Sequence, residues 1–396
     1  MKLLLIVAHP DYHVGGAEIQ SYRLAVELAS HGHQISFLMA RPGCIDISIH
    51  EIKDANGFSV YFFERGKVFK SFSPIRAYNV IKKIKPDCFY MRGVLHAWPA
   101  AIVYSKRKRK TVQVIWQVPS GRSLIRFANL KELLGVKNLG SIIKNFPDNL
   151  YEDLIQLFTI RFSDFIISQT DQNVQVLKKA FRRDSIKVLK GIKIEPNEII
   201  KDFSFPLKIY FIRNIKPRSR LKLFIDVYKL IQDSNHKDSF EFSIIGENQG
   251  GMDISLLEDS RHLKYYGKLS NSEVIEHLKS AHILIDTLWE QNNQTTYSTA
   301  FIEAWINKVV ICSFDTNPDG VLTEHNIGFK VNSAEECANR ILELKNDLQV
   351  LRSMAQNAYR YALSNHDISN EVKFLNMVIQ QKIQQSQGDT VYERKV

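Results

Sequence analysis

Cysteine is scarce, four residues in 396, and Cys44, Cys88, Cys312 and Cys337 form no C-x-x-C pair. That spacing argues against a zinc ribbon, a thiol redox motif and a disulfide framework, and a reducing cytoplasm is expected. Long hydrophobic runs are missing as well. The opening MKLLLIV stays apolar only until His9-Pro10-Asp11, too short for the hydrophobic region of a signal peptide and far too short to span a bilayer. It reads as a buried first strand. No G-x-G-x-x-G fingerprint follows it, which demotes a dehydrogenase or an epimerase. No D-x-D pair is present, and no stacking-aromatic motif points to nucleic acid.

What remains is a chain with 44% hydrophobic and 24% charged residues, enough apolar material for two cores. The net charge of +11 is uneven: residues 1–200 hold 30 Lys and Arg against 17 Asp and Glu, and residues 201–396 hold 23 against 25. The densest basic runs are Lys106 to Lys110, Lys178-Lys179 with Arg182-Arg183, and Lys82-Lys83 with Lys85. Two readings stay open for them. They are solvated helix ends, or they form a surface that meets anionic lipid headgroups, where each basic residue contributes about 1 kcal/mol.

Leu3 to Ala8 is a continuous apolar run, Gly15-Gly16 follows a looser segment, and an amphipathic stretch from Ala17 to Ser30 closes at Gly32 before Gln34 to Met39. Strand, loop, helix and strand in that order begin a parallel sheet. Further strands are expected at 59–63, 88–91, 112–116 and 165–168. The alternation restarts after Phe205-Pro206, with strands at 208–213, 240–245, 263–266, 282–287 and 309–313. The fold class is therefore α/β, with two doubly wound halves in tandem and ligands expected beyond the carboxyl ends of the strands, in the cleft between the halves. The expected domains are 1–203 and 204–365, followed by a helix over 366–384 returning toward the first domain. The polar residues 385–396 read as a disordered tail.

Two segments carry chemistry. Gly15-Gly16-Ala17-Glu18 opens the first helix, where missing β-carbons let a phosphate or sugar approach backbone N–H groups; a tight strand-to-helix turn is the plain alternative. Ser298 and Thr299 suit a helix N-cap, and the N-terminus behind them can hold an anion. Glu303 lies one turn further in, among Phe301, Ile302, Ala304 and Trp305, where a buried carboxylate requires a partner. A basic neighbour or simple access to solvent would also satisfy it.

The segment from Thr299 to Ser313 resembles the donor-site motif of glycosyltransferase family 4, whose enzymes have the GT-B fold: two Rossmann-like domains facing across a cleft. Asn317-Pro318-Asp319-Gly320-Val321 with Asn326 to Phe329, Ile167 to Gln172, and Gly15 to Glu18 resemble further family motifs in the family's order, across most of residues 1–365. The resemblance implies that Gly15 and Gly16 approach the donor, that Gly267-Lys268-Leu269 frames the nucleotide base, and that Gly246-Glu247 forms a turn. The amides of Ser298, Thr299 and Ala300 would hold the diphosphate, and Glu303 would bind the ribose.

Three features depart from the family. Asn214 and Ser219 stand where an arginine and a lysine usually neutralise the diphosphate, Thr295 stands where a second glutamate contacts the sugar, and no catalytic-region histidine stands in Ile115 to Ser120. Arg213, Lys216, Arg218 and Arg220 crowd the first of these loops. Arg213 and Arg218 repeat the five-residue spacing one position early and are the expected stabilisers of the leaving group, with Lys216 and Arg220 more solvated. Glu290 is the carboxylate offered in place of the second glutamate, and His96 is the nearest histidine. Basic residues and helix amides in place of a carboxylate pair suit metal-independent transfer. The resemblance implies a retaining transferase that takes a UDP- or GDP-sugar and no other cofactor. Its acceptor would be a lipid-linked saccharide or glycan at the inner face of the cell membrane, in O-antigen, lipopolysaccharide, capsule or exopolysaccharide synthesis. The rival from another class is a catalytically weak GT-B protein that binds a glycan or partners an active enzyme.

Overall fold

Strands buried on both faces have no solvent side to make polar, so they read as unbroken apolar runs. LLLI and CFYM do so, FIIS and VICS do so up to a closing serine, and each is an interior strand of its sheet. The computed structural model describes residues 1–13, 16–64, 73–108, 112–135, 139–194, 199–216, 219–251, 262–288 and 297–392. The chain divides into two units, Met1–Lys193 with Ile368–Val396, and Ile194–Asp367.

The first unit carries β1 (Lys2–Ile6), β2 (Gln34–Ala40), β3 (Glu51–Lys53), β4 (Ser59–Phe63), β5 (Cys88–Met91), β6 (Gln113–Gln117), β7 (Phe165–Ser168) and β8 (Ile186–Lys187). Their order across the sheet is β3-β4-β2-β1-β5-β6-β7-β8. All neighbours pair parallel except β3, which runs antiparallel along the edge of β4. Leu3 stands opposite both Ile35 and Cys88, so β1 is central. The helix Ile368–Tyr392 closes one face of this sheet. Ile368, Val372, Leu375 and Ile379, spaced four, three and four residues apart, bury one stripe against Leu3, Leu24 and Phe37. Each such side chain contributes about 1.5 to 3 kcal/mol.

The second unit carries β9 (Leu207–Ile212), β10 (Phe240–Ile245), β11 (Leu263–Tyr265), β12 (Ile283–Asp286), β13 (Val310–Ser313) and β14 (Gly328–Lys330). Its order is β11-β10-β9-β12-β13-β14, parallel throughout. The chain winds outward from β9 through β10 to β11 and then returns to the other side of β9 as β12. That reversal leaves a crevice beyond the carboxyl ends of β9 and β12, the ordinary place for a ligand in an open sheet.

Two boundaries differ from the sequence reading. The units divide at Lys193 and not at 203, because Phe203 belongs to the core of the second unit with Leu207 and Ile209. The last helix runs to Tyr392, through residues expected to be a disordered tail. Its first turns are fixed by burial, so the costly nucleus already exists and each added Gln or Lys only propagates it. All four cysteines are free thiols, although the buried Sγ atoms of Cys312 and Cys337 stand 3.1 Å apart.

Candidate functional site

At the crevice of the second unit, Arg213 follows the last residue of β9 and Asp286 ends β12. Nη2 of Arg213 donates to Oδ1 of Asp286 at 2.9 Å, and Ser313 Oγ at the end of β13 donates to Oδ2 at 3.3 Å. Asp286 is buried while the arginine remains one-quarter exposed. One carboxylate thus anchors the guanidinium and leaves its remaining N–H groups for another acceptor. Arg213, Asp286 and Ala300 line one small pocket, so the first turn of helix Thr299–Ile306 opens beside this pair.

Ser298 occupies the N-cap of that helix without a side-chain capping bond. The first-turn amides of Thr299 and Ala300 point out of the helix end and carry the positive end of the helix dipole. One turn in, Glu303 is buried and accepts from Nδ2 of Asn271 at 3.1 Å. That amide is one partner of the carboxylate the sequence required to be satisfied. Asn271 begins helix Asn271–Ser280, whose start is fixed by a reciprocal cap between Ser270 and Glu273. Exposed Lys268 and half-buried Leu269 lead directly into it.

Gly246 has a structural duty. It adopts φ 149°, and a β-carbon there would lie 1.9 Å from the carbonyl oxygen of Arg213. Only glycine permits this approach. Ile215 N donates to Glu247 O at 2.8 Å, and Gly246 N to Gly267 O at 2.7 Å. The three loops at 213–216, 246–249 and 265–267 are therefore tied side by side.

Lys216 is exposed. Arg220 is a correction: expected to be solvated, it bonds Thr287 O at 2.8 Å through Nε and Asp315 Oδ2 at 2.5 Å through Nη2, clamping the loops after β12 and β13. Ser219, at the position of the family lysine, is buried. Its Oγ bridges N and O of Lys216, and its carbonyl accepts from Thr287 Oγ1. Gly16, exposed, opens helix Gly16–Ser30 in the first unit. Gly15, Arg218, Glu290 and Thr295 lie outside the described residues. His96 is buried in the first unit, stacked on Tyr151 at 5.9 Å with Nε2 at 3.7 Å from Glu152. That is the setting of a packed core histidine. Sequence reasoning missed Asp286 and Asn271. The acid closing ILID and the S-x-x-E cap that encloses Asn271 mark the two positions in the sequence, though not their partners.

Among the described residues no group of three or more His, Cys, Asp or Glu is placed to hold a metal ion. No helix among them is long and apolar enough to cross a membrane. No family model matches the chain, and no curated protein matches it. Solved structures do match. Sucrose-phosphate synthase from Thermosynechococcus elongatus aligns over 96% of this chain and 99% of its own, with a TM-score of 0.71 and 10% identity. WaaG, a glycosyltransferase involved in lipopolysaccharide biosynthesis, aligns over 96% and 99% at 0.66 and 11%. This chain has the GT-B fold. Anabaena HepE in complex with UDP-glucose also shares it, over 98% of this chain and 100% of its own, at 0.65 and 14%. Within the GT-B fold the second unit is the Rossmann-like half that contains Arg213, Asp286, Ala300 and Glu303.

Proposed function

We propose that this protein is a family 4 glycosyltransferase that transfers a sugar from a UDP- or GDP-sugar, with retention of configuration, to a lipid-linked saccharide or glycan. The observation that carries the reading is the uncapped helix Thr299–Ile306, which opens beside Arg213 and holds the buried Glu303 one turn in. In this reading the amides of Ser298, Thr299 and Ala300 receive the diphosphate and Glu303 accepts from the ribose hydroxyls. Asn271 fixes the rotamer of Glu303. Arg213 faces the charge that grows on the departing diphosphate, and Asp286 fixes the guanidinium before the reaction begins, so little reorganisation is required in the transition state. Lys216 supplies long-range charge, and Lys268 and Leu269 border the base. HepE, with its bound UDP-glucose, supports a nucleotide-sugar donor for the same fold.

The experiment is a calorimetric titration of UDP and GDP into the parent and Glu303→Ala. Losing a hydrogen bond to a charged acceptor lowers affinity about tenfold to a hundredfold. Equal affinity in the two proteins sinks the donor-site assignment. A second reading, a GT-B binder with little turnover, is favoured by Asn214 and Ser219 in place of the usual basic pair. Nucleotide-sugar binding without transfer or slow hydrolysis under any acceptor decides for it.

We also infer that the first unit docks on the cytoplasmic face of the membrane, which suits a lipid-linked acceptor in surface-polysaccharide synthesis. Ile143 is 68% exposed and Phe146 41%, one turn apart on helix Leu139–Phe162 and beside Lys144. An exposed apolar pair next to a cation suits an anionic interface. The Lys106 to Lys110 run offers less than its sequence suggests. Lys106 is bonded to Asp164 at 3.2 Å and Arg107 to the Tyr78 hydroxyl at 3.1 Å, and residues 109–110 lie outside the described ones.

A further inference from the structure

Cys312 and Cys337 lie 25 positions apart, a spacing that marks no thiol motif, yet the fold brings them into contact. Cys312 sits in β13, between Ile285 of β12 and Phe329 of β14. Cys337 belongs to the buried stripe Ala334, Cys337, Ala338, Ile341 and Leu344 of helix Ala334–Asn346. Both side chains are part of the core of the second unit. Both are free thiols, and their Sγ atoms stand 3.1 Å apart.

Packing alone does not account for that distance. Apolar carbon atoms rest roughly 3.5 to 4.0 Å apart, and sulfur is the larger atom, so two cysteines serving only as small apolar side chains would stand further from each other. The separation is that of one S–H directed at the other sulfur. This hydrogen bond, and then burial, push the Cys337 thiol well above its usual pKa. The pair therefore rests as two thiols, guarded from large reagents by the core around it. A closure of about 1 Å brings the sulfurs to the ~2.05 Å of a disulfide.

The segment between the two cysteines gives such a bond a consequence. It begins with Ser313, whose Oγ donates to Asp286 Oδ2 and accepts from Thr316 N at 3.0 Å. It continues through Asp315, which holds Arg220, then helix Val321–Glu324 and β14. A bond between residues 312 and 337 would enclose all of these and tie a central strand to the helix that covers it.

We propose that Cys312 and Cys337 are an oxidant-operated staple, which a peroxide converts to a disulfide joining β13 to helix Ala334–Asn346. One cysteine, as its thiolate, attacks a peroxide oxygen. The O–O bond breaks, water leaves after taking a proton, and a sulfenic acid remains. The second thiol attacks that sulfur, the S–S bond forms, the S–O bond breaks and a second water leaves. Two thiols are oxidised and one peroxide is reduced. Contact between the sulfurs places the resolving thiol beside the sulfenic acid before a second peroxide arrives. Cys44 and Cys88 belong to the first unit. The inference does not rest on the proposed donor site.

The test uses the full chain carrying Cys44→Ser, which removes the exposed thiol. The folded protein is held in millimolar hydrogen peroxide, quenched, unfolded, alkylated and mapped by mass spectrometry. The peptide of Cys312 should be found joined to that of Cys337, with Cys88 alkylated. Melting is then compared before and after dithiothreitol, which reduces the disulfide and leaves methionine sulfoxide in place. Because a closed loop constrains the unfolded chain, the oxidised form should melt about 5 °C or more above the reduced one. Cys337→Ser in the same background should show no such shift. The mapping needs no further variant, so it stands even if Cys337→Ser fails to fold. Unmodified thiols at both positions, sulfinic acid without a cross-link, or a cross-link to Cys88 overturns the proposal. So does a 312–337 cross-link that forms only in urea, or an oxidised form that melts no higher than the reduced one.

Discussion

In the first unit the residues that end or follow the strands are mostly buried amides; in the second they are charges bonded to one another. Gln117 ends β6, Gln169 follows β7, and Arg92 follows β5, all buried. Nε and Nη1 of Arg92, both amide atoms of Gln169 and of Asn173, and Nε2 of Gln117 have no hydrogen-bond partner among the described residues. The fixed point is Glu371, fully buried on the last helix. It accepts from Gln20 Nε2 at 2.9 Å, Gly191 N at 3.1 Å and the Tyr90 hydroxyl at 3.5 Å. Burial raises its pKa, opposed by the Gly191 amide and the charge of Arg92. In the second unit Arg213 and Arg220 each find a carboxylate. Net charge divides the other way: the first unit holds 34 Lys and Arg against 18 Asp and Glu, +16, and the second 19 against 24, −5. Local pairing and global charge are thus separate properties. The strongly basic half keeps a nearly neutral interior, and the acidic half presents Arg213 and Arg220 at the carboxyl edge of its sheet.

Glu371→Ala gives the largest expected effect. It leaves several buried donors without an acceptor and should destabilise the first unit by about 3 to 5 kcal/mol. Glu371→Gln keeps an acceptor and should cost less. Hydrogen exchange resolved by unit measures both, and equal loss of protection in the second unit would break the contrast drawn here.

Arg213→Ala comes next. Under the proposed function it should lower turnover about a hundredfold, close to 2.7 kcal/mol, with a smaller change in donor affinity. Parental turnover in this variant, assayed with the true donor and acceptor, rejects the crevice as the diphosphate site.

His282 offers a pH test of the second unit. Its Nδ1 accepts from Lys208 N at 2.8 Å and its Nε2 donates to Asp202 O at 2.7 Å, and burial lowers its pKa from 6.5 to about 4. A depressed folded pKa means that the neutral ring is favoured. The contribution is complete above pH 6.5 and lost as pH falls toward 4, about 3 kcal/mol in all. His282→Gln should flatten this dependence in the second unit, and an unchanged slope refutes the assignment. The smallest effect is on vesicle binding. Ile143→Ser with Phe146→Ser should reduce co-sedimentation with anionic vesicles, and binding of the parent should fall with salt, each basic contact contributing about 1 kcal/mol. Equal binding to neutral vesicles removes the proposed membrane role of the +16 half.

Legibility in the sequence followed burial. The runs read at 59–63, 88–91, 165–168 and 240–245 coincide with β4, β5, β7 and β10, because strands covered on both faces are apolar at most positions, with Glu241 and Ser243 the exceptions in β10. The strands missed were β3, β8 and β14, each at a sheet edge and two or three residues long. An edge strand meets solvent on one side, so Glu51 and Lys187 are tolerated and no run forms. The helix Thr299–Ile306 was readable as a helix because Ser298, Thr299 and the apolar run around Glu303 lie within a few residues of one another. Asn271 and Asp286 were not, since their partners Glu303 and Arg213 lie 32 and 73 residues away and no local pattern records such a pairing.

The last helix imposes an order of events on synthesis. The second unit is one uninterrupted stretch, Ile194–Asp367, and can close as soon as it leaves the ribosome. The first cannot, because Ile368, Val372, Leu375 and the carboxylate of Glu371 are made only after the whole of the second unit. At about 5 to 20 residues per second, Leu24, Phe37 and the donors of Gln20 and Gly191 wait roughly ten seconds or more for their cover. During that interval the nascent first half is an apolar surface that a chaperone can recognise. A message truncated before the last helix would yield a folded second half attached to an open first one.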